Sequence, residues 1–181
     1  ARGRASRIAA RRPGPRARPA GASDSGEDFP RARGPNPKEK TLALERTLFI
    51  VKPDAVRRNL IGRILASVEE RGFRIAEARL ARLTREEAQT FYAEHQGRPF
   101  FNDLVEYMTS GPVMLTCLEA ENAVAALRDA VGATDPAQSA PATIRKLFGE
   151  SKQMNSVHAS DSQASAEREV KSFFGLAALS R

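Results

Sequence analysis

The 181 residues carry 41% apolar and 28% charged side chains, with a formal net charge of +7. That length fits one domain, and the apolar share can supply a core, which excludes a wholly disordered chain. No apolar run approaches the roughly 18 residues of a membrane-spanning helix, and the single cysteine, Cys117, excludes an internal disulfide framework and any cysteine-based zinc site of the usual spacing.

The charge is unevenly placed. Residues 1–40 hold eleven Lys or Arg against four Asp or Glu, whereas 41–181 hold eighteen of each. The leading segment is also rich in Pro and Gly, and Ile8 and Phe29 are the only bulky apolar residues before position 37. Such a stretch cannot bury enough surface to offset chain entropy, so 1–43 is expected to be disordered. Arg-rich and free of acids over its first twenty residues, it has the composition of an organelle transit peptide. Pro13, Pro15 and Pro19 weaken the amphipathic helix such peptides form, and an unstructured extension is the alternative. Its basic balance also raises contact with nucleic acid or an anionic membrane.

From Arg46 the pattern turns periodic. Thr47 to Val51 is a continuous apolar run of strand length, suited to a central strand buried on both faces, and Lys52-Pro53-Asp54 ends it. Leu60 to Arg71 sets Ile61, Ile64, Leu65 and Val68 on one helical face, with Gly72 as the C-terminal stop. Phe73 to Leu83 reads as a strand in which Ala76, Ala78 and Leu80 alternate with Glu77 and Arg79. Thr84 to Glu87 is a capping box opening a helix through Tyr92. Phe100 to Met108 reads as a short helix, Val113 to Glu119 as a third strand, and Asn122 to Val131 as a helix closed by Gly132. Residues 133–154 form a long polar loop with a short helix at 143–148. Asn155 to Ala159 is a candidate fourth strand, and Asp161-Ser162 caps a last helix to Phe174. The implied architecture is an α+β, ferredoxin-like sandwich: a four-stranded, mainly antiparallel sheet with helices packed on one face.

His158 lies in a polar cluster, Asn155 to Ser162, just before a helix N-terminus, where unpaired N–H groups and the helix dipole favour anions. A histidine there could serve as nucleophile or base toward a phosphate, and it could equally be a surface residue near a cap. His95 has no comparable cluster and reads as structural. Lys52 follows a buried strand, and Arg128 and Arg145 flank the long loop. Neither a Walker loop nor a Gly-x-Gly-x-x-Gly fingerprint is present, so any nucleotide must be held by side chains.

Six blocks, Thr47 to Val56, Arg98 to Phe101, Met108 to Val113, Gly132 to Pro136, Thr143 to Arg145 and Asn155 to Ser162, closely resemble nucleoside diphosphate kinases, in order and without gaps from about Glu45 to Phe174. The resemblance implies transfer of the γ-phosphate of a nucleoside triphosphate to a nucleoside diphosphate, by a ping-pong route through a phosphohistidine at His158. It casts Glu169, supported by Ser160, as the group holding the other imidazole nitrogen. Tyr92 falls beside the histidine, Arg128, Arg145 and Thr134 on the phosphates, Lys52 and Asn155 on the sugar hydroxyl and the transferred group, and Phe100 under the base. Mg²⁺ is expected to arrive on the nucleotide phosphates, helped at most through water by Asp161, without a dedicated metal cage.

The resemblance further implies a homo-hexamer or homo-tetramer. A catalytically weak regulatory or adaptor member is the alternative from another class. The resulting layout is an extension at 1–43, the catalytic domain at 44–175 and a C-terminal tail at 176–181. The expected compartment is the cytoplasm, or a mitochondrion or other organelle if 1–43 is a transit segment. The chain departs from the common motif at Ala142 and Ala159, each in place of a glycine, and at Lys152, in place of an aliphatic residue beside the base. Both alanines fit only where φ is negative.

Overall fold

A computed structural model describes residues 44–179. The readings of 1–43 as a disordered, targeting, nucleic-acid-binding or membrane-binding extension lie outside the described residues.

The apolar run opens as β1 (Leu44–Val51), and its flanking strands confirm it as central. β1 pairs antiparallel with β3 (Val113–Glu121) on one side and with the short β4 (Val157–Ala159) on the other, and β2 (Arg74–Ala81) pairs antiparallel with β3. The order across the sheet is β2-β3-β1-β4. Between strands run α1 (Pro53–Arg57), α2 (Ile61–Glu69), α3 (Arg85–Phe91), a 3-10 turn (Ala93–His95), α4 (Phe101–Thr109), α5 (Ala123–Val131), α6 (Ile144–Phe148) and α7 (Gln163–Phe174). The four-stranded antiparallel α+β sandwich is the expected one. Among the described residues no helix is long and apolar enough to cross a membrane.

Helices cover both faces of the sheet rather than one. Because side chains alternate along a strand, Phe49 and Val51 of β1 join one core with Ile64, Val68, Leu127 and Ile144, from α2, α5 and α6. Leu48 and Ile50 join a second core with Phe91, Met108 and Val170, from α3, α4 and α7. A central strand with four consecutive buried apolar residues, Leu48 to Val51, requires this double cover.

Local signals hold at most boundaries. The capping box is complete, with the Thr84 hydroxyl accepting from Glu87 N–H and the Glu87 carboxylate accepting from Thr84 N–H. The Ser162 hydroxyl caps α7 by accepting from Ser165 N–H. Gly132 closes α5 at φ 84°, and a Cβ there would sit 2.6 Å from the Thr143 hydroxyl, so the site needs glycine.

Four details differ from expectation. Lys52-Pro53-Asp54 does end β1, but it also starts α1, with Lys52 as N-cap and proline in the first turn, where its missing N–H costs nothing. β2 is an edge strand with an irregular register between Ile75 and Glu77, and Leu80 is 55% exposed instead of facing the core. Ala142 sits in the left-handed region at φ 65°, so the expectation of negative φ fails there. Ala159, by contrast, is a regular strand residue in β4. Residues 176–178, assigned above to a tail, form a 3-10 turn with Ala178 buried and its carbonyl accepting from Arg46.

Candidate active site

β4 is only three residues long, yet its alternation decides the site. Val157 and Ala159 point into the core with α2 and α5, which turns His158, paired with Ile50 of β1, toward the opposite face. There its ring meets the edge of Phe91 at 5.1 Å and of Tyr92 at 6.3 Å between centroids. Glu169 reaches the same point from α7, about two turns along from the Ser162 cap.

The contacts fix the imidazole's proton. Nε2 of His158 lies 3.0 Å from Oε2 of Glu169, and a carboxylate can only accept, so Nε2 carries the hydrogen. The Ser160 hydroxyl donates to the same carboxylate oxygen at 2.7 Å and accepts the Leu48 N–H at 3.2 Å, which ties the pair to the β1 backbone. Nδ1 keeps its lone pair and has no partner among the described residues. An imidazole held this way offers its free ring nitrogen as a nucleophile.

His158 lines a cavity of about 640 Å³, well within the size range of small-molecule sites. The end of β1 delivers Lys52 to it, α5 delivers Arg128, and α6 delivers Arg145. Lys52 Nζ donates to the Asn155 amide oxygen at 2.7 Å, while Asn155 Nδ2 donates to the carbonyls of Thr134 and Lys152. Arg145 is 6% exposed and spends Nη1 and Nη2 on the carbonyls of Gly132 and Val157, leaving Nε buried without a partner. Thr134, Lys152 and Asp161 also line the cavity.

Burial and crowding by like charges weaken these cations. Burial, then Arg145, pushes Lys52 down to about 8, with Asp54 opposing, and burial, then Arg128, lowers Arg145 to about 10. A cavity whose cations are this short of counter-charge is built for an anion. The Tyr92 hydroxyl is buried and unpartnered, and its burial and the Glu169 charge raise its pKa, so it stays a donor. Hydrogen bonds from Ser165 hold the Asp161 carboxylate below its usual range.

Phe100 is half exposed at the cavity wall, a free aromatic face against which a flat ring could stack. Beside it stands His95, stacked on Tyr92 with 20° between planes and 5.6 Å from Phe100. His95 was read as structural, yet it lines the cavity. In a 3-10 turn, residues three apart eclipse, so its spacing from Tyr92 was the available signal. The structure therefore gathers every site residue named from the sequence around one cavity or, for Ser160, directly behind it.

Comparison with known proteins gives the family and the fold. The family model described as nucleoside diphosphate kinase matches residues 45–178. The nucleoside diphosphate kinase of Rhodospirillum centenum is 56% identical over 133 residues, covering 74% of this chain and 95% of that protein. That of Leptothrix cholodnii is 54% identical over 141 residues, covering 77% and 100%. Among solved structures, the Aquifex aeolicus nucleoside diphosphate kinase superposes with a TM-score of 0.73 at 44% identity, over 76% of this chain and 99% of that one. The apo enzyme of Encephalitozoon cuniculi gives 0.71 at 37%, over 72% and 89%. With its fold, its nucleotide-sized cationic cavity and a family match over most of its length, the chain belongs to the nucleoside diphosphate kinases, and it is a phosphotransferase.

Proposed function

We propose that this nucleoside diphosphate kinase carries the phosphate covalently on Nδ1 of His158. The Nδ1 lone pair attacks the γ-phosphorus of a nucleoside triphosphate, and the bond to the bridging oxygen breaks. The diphosphate departs with that electron pair. The ring, now N-phosphorylated and cationic, is neutralised through Nε2–H by Glu169. An incoming nucleoside diphosphate then attacks with a terminal β-phosphate oxygen, the P–N bond breaks, and Nδ1 recovers its lone pair. The observation that carries this reading is the Nε2–Glu169 contact at 3.0 Å, which frees Nδ1 on a ring that lines the cavity.

The remaining residues supply what a loose phosphoryl-transfer transition state needs, positive charge and hydrogen-bond donors on its equatorial oxygens. Arg128, Arg145 and Thr134 hold the phosphates, and Lys52 and Tyr92 donate to the transferred group. Asn155, anchored by the Thr134 and Lys152 carbonyls, aligns Lys52 and the sugar hydroxyl. Phe100 stacks on the base, and because every base has a π-face, stacking alone discriminates little. The ionised Asp161 carboxylate suits a hard cation, consistent with a nucleotide-borne Mg²⁺ held through water, which supplies further charge neutralisation on the phosphates.

Incubation with ATP and Mg²⁺ is expected to label the protein with an acid-labile phosphate, and His158→Asn to abolish the label. An acid-stable label, or one surviving that substitution, overturns the route. For assembly we infer a homo-hexamer or homo-tetramer, supported by the open β2 edge with its exposed Leu80 and by Leu147, 57% exposed on α6. Light-scattering mass should be six or four times that of the chain.

A further inference from the structure

Beneath the cavity lies a buried polar cluster to which no role has been given. Asp54, in the first turn of α1, is 2% exposed. Its Oδ1 accepts from the Tyr107 hydroxyl, and its Oδ2 accepts from Arg58 Nη2 at 3.1 Å and from the Ser156 hydroxyl at 3.2 Å. Ser156 is held in the left-handed region at φ 70°, and its carbonyl accepts the Lys52 N–H at 2.8 Å. Tyr107 touches both partners, because the ring whose hydroxyl binds Asp54 lies 5.9 Å from Lys52 Nζ. The cluster thus joins the end of β1, the start of β4 and α4 around one carboxylate.

Lys52 has need of that charge. It is 7% exposed, and among the described residues its side-chain hydrogen bond goes to a neutral amide oxygen. Arg145, Arg128 and Lys152 line the same cavity and all repel it. Of the other titratable groups there, Glu169 is committed to His158 and Ser160, Tyr92 is uncharged, and Asp161 is held by serines. Glu94, His95 and Asp103 belong to the α3–α4 side.

We propose that Asp54 is a positioning residue for phosphoryl transfer: fixed by Tyr107, Arg58 and Ser156, its carboxylate keeps Lys52 an ammonium within the cationic cavity. This rests on the reading of Lys52 as a ligand of the transferred phosphate. Among opposing influences on Lys52, burial and Arg145 favour the neutral amine, and Asp54 favours the ammonium. Lys52 is charged below its midpoint near 8 and loses its charge as pH rises through it. Removing Asp54 must move that midpoint to lower pH.

The test uses the full chain with lysine labelled by ¹³C at Cε, the Lys52 signal being assigned by its loss in Lys52→Arg. In Asp54→Asn the Lys52 midpoint is expected to fall by about one unit, and the alkaline limb of kcat/KM, which reports the free enzyme, to fall with it. Asp54→Glu, which keeps the charge, should restore most of both. A folded Asp54→Asn protein with an unmoved Lys52 midpoint, or with activity lowered evenly at every pH, overturns the proposal. A shifted midpoint with an unshifted limb overturns Asp54's part in turnover and locates the fault in the reading of Lys52, whereas loss of the acid-labile label locates it at His158. If Asp54→Asn does not fold because Arg58 Nη2 loses its buried carboxylate, the pair Asp54→Asn, Arg58→Met removes both ends together. Read against Arg58→Met alone, it carries the same shift and the same refutation.

Discussion

Ala142 shows how much one backbone angle can hide. An alanine at φ 65° brings its Cβ against its own carbonyl, at a cost of roughly 1–2 kcal/mol that glycine avoids. The conformation is nevertheless held, because the Ala142 carbonyl accepts from Arg71 Nη2 at 2.7 Å at the foot of α2. Next to it, Thr143 packs against Gly132. Glycine would relieve the strain and lose part of the gain to the greater freedom of the unfolded chain. Ala142→Gly is therefore expected to stabilise the protein by about 0.5–1 kcal/mol, a rise of about 2–4 °C in Tm by scanning calorimetry. A fall in Tm would mean that the Cβ makes a contact worth more than the strain. The partner departure, Ala159, carries no such penalty because a strand residue needs no glycine. From the sequence the two looked alike, since identity alone does not reveal φ.

At the scale of elements, what could be read in advance was whatever chemistry is local. The Thr84–Glu87 capping box, the Gly132 stop and the Ser162 cap are each set by a few adjacent residues, and each appears as expected. Faces were harder, because they depend on partners distant in the chain. The pattern of β2 suggested Leu80 as core, but the irregularity between Ile75 and Glu77 breaks the alternation on which that inference rests. The double cover of the sheet is implied by the consecutive apolar residues Leu48 to Val51 of β1, whereas the order of elements alone suggests the simpler one-face arrangement. The site divides in the same way. His158 and Arg145 stand in the quoted blocks, and Glu169 falls seven residues beyond the last of them on the helix that Ser162 caps. Asp54 stands in the first block and in the strand-ending tripeptide without a role of its own, and Tyr107 lies within the Phe100 to Met108 helix. Their meeting depends on α1 and α4 packing together across 53 residues of chain, which no local pattern records.

For the whole molecule, the charge segregation decides what the basic balance can mean. The net +7 sits in residues 1–40, whereas 41–181 is balanced, and within that neutral part Lys52, Arg128 and Arg145 are concentrated in the cavity. Anion binding by the enzyme therefore follows from local placement. The family match begins at residue 45, and every residue assigned a role in catalysis lies between Lys52 and Glu169. At about 150 mM salt the Debye length is about 8 Å, so charges beyond the cavity add little to capture of a nucleotide. A chain beginning at Leu44 is accordingly expected to keep the kcat and kcat/KM of the full chain in a coupled assay at that salt. At about 10 mM salt, where the screening length reaches about 30 Å, the full chain should gain in kcat/KM alone, because net charge accelerates encounter without touching the chemical step. A loss of kcat on removing residues 1–43, at either salt, would place part of the catalytic machinery in that segment and overturn the assignment of the excess charge to a role outside turnover.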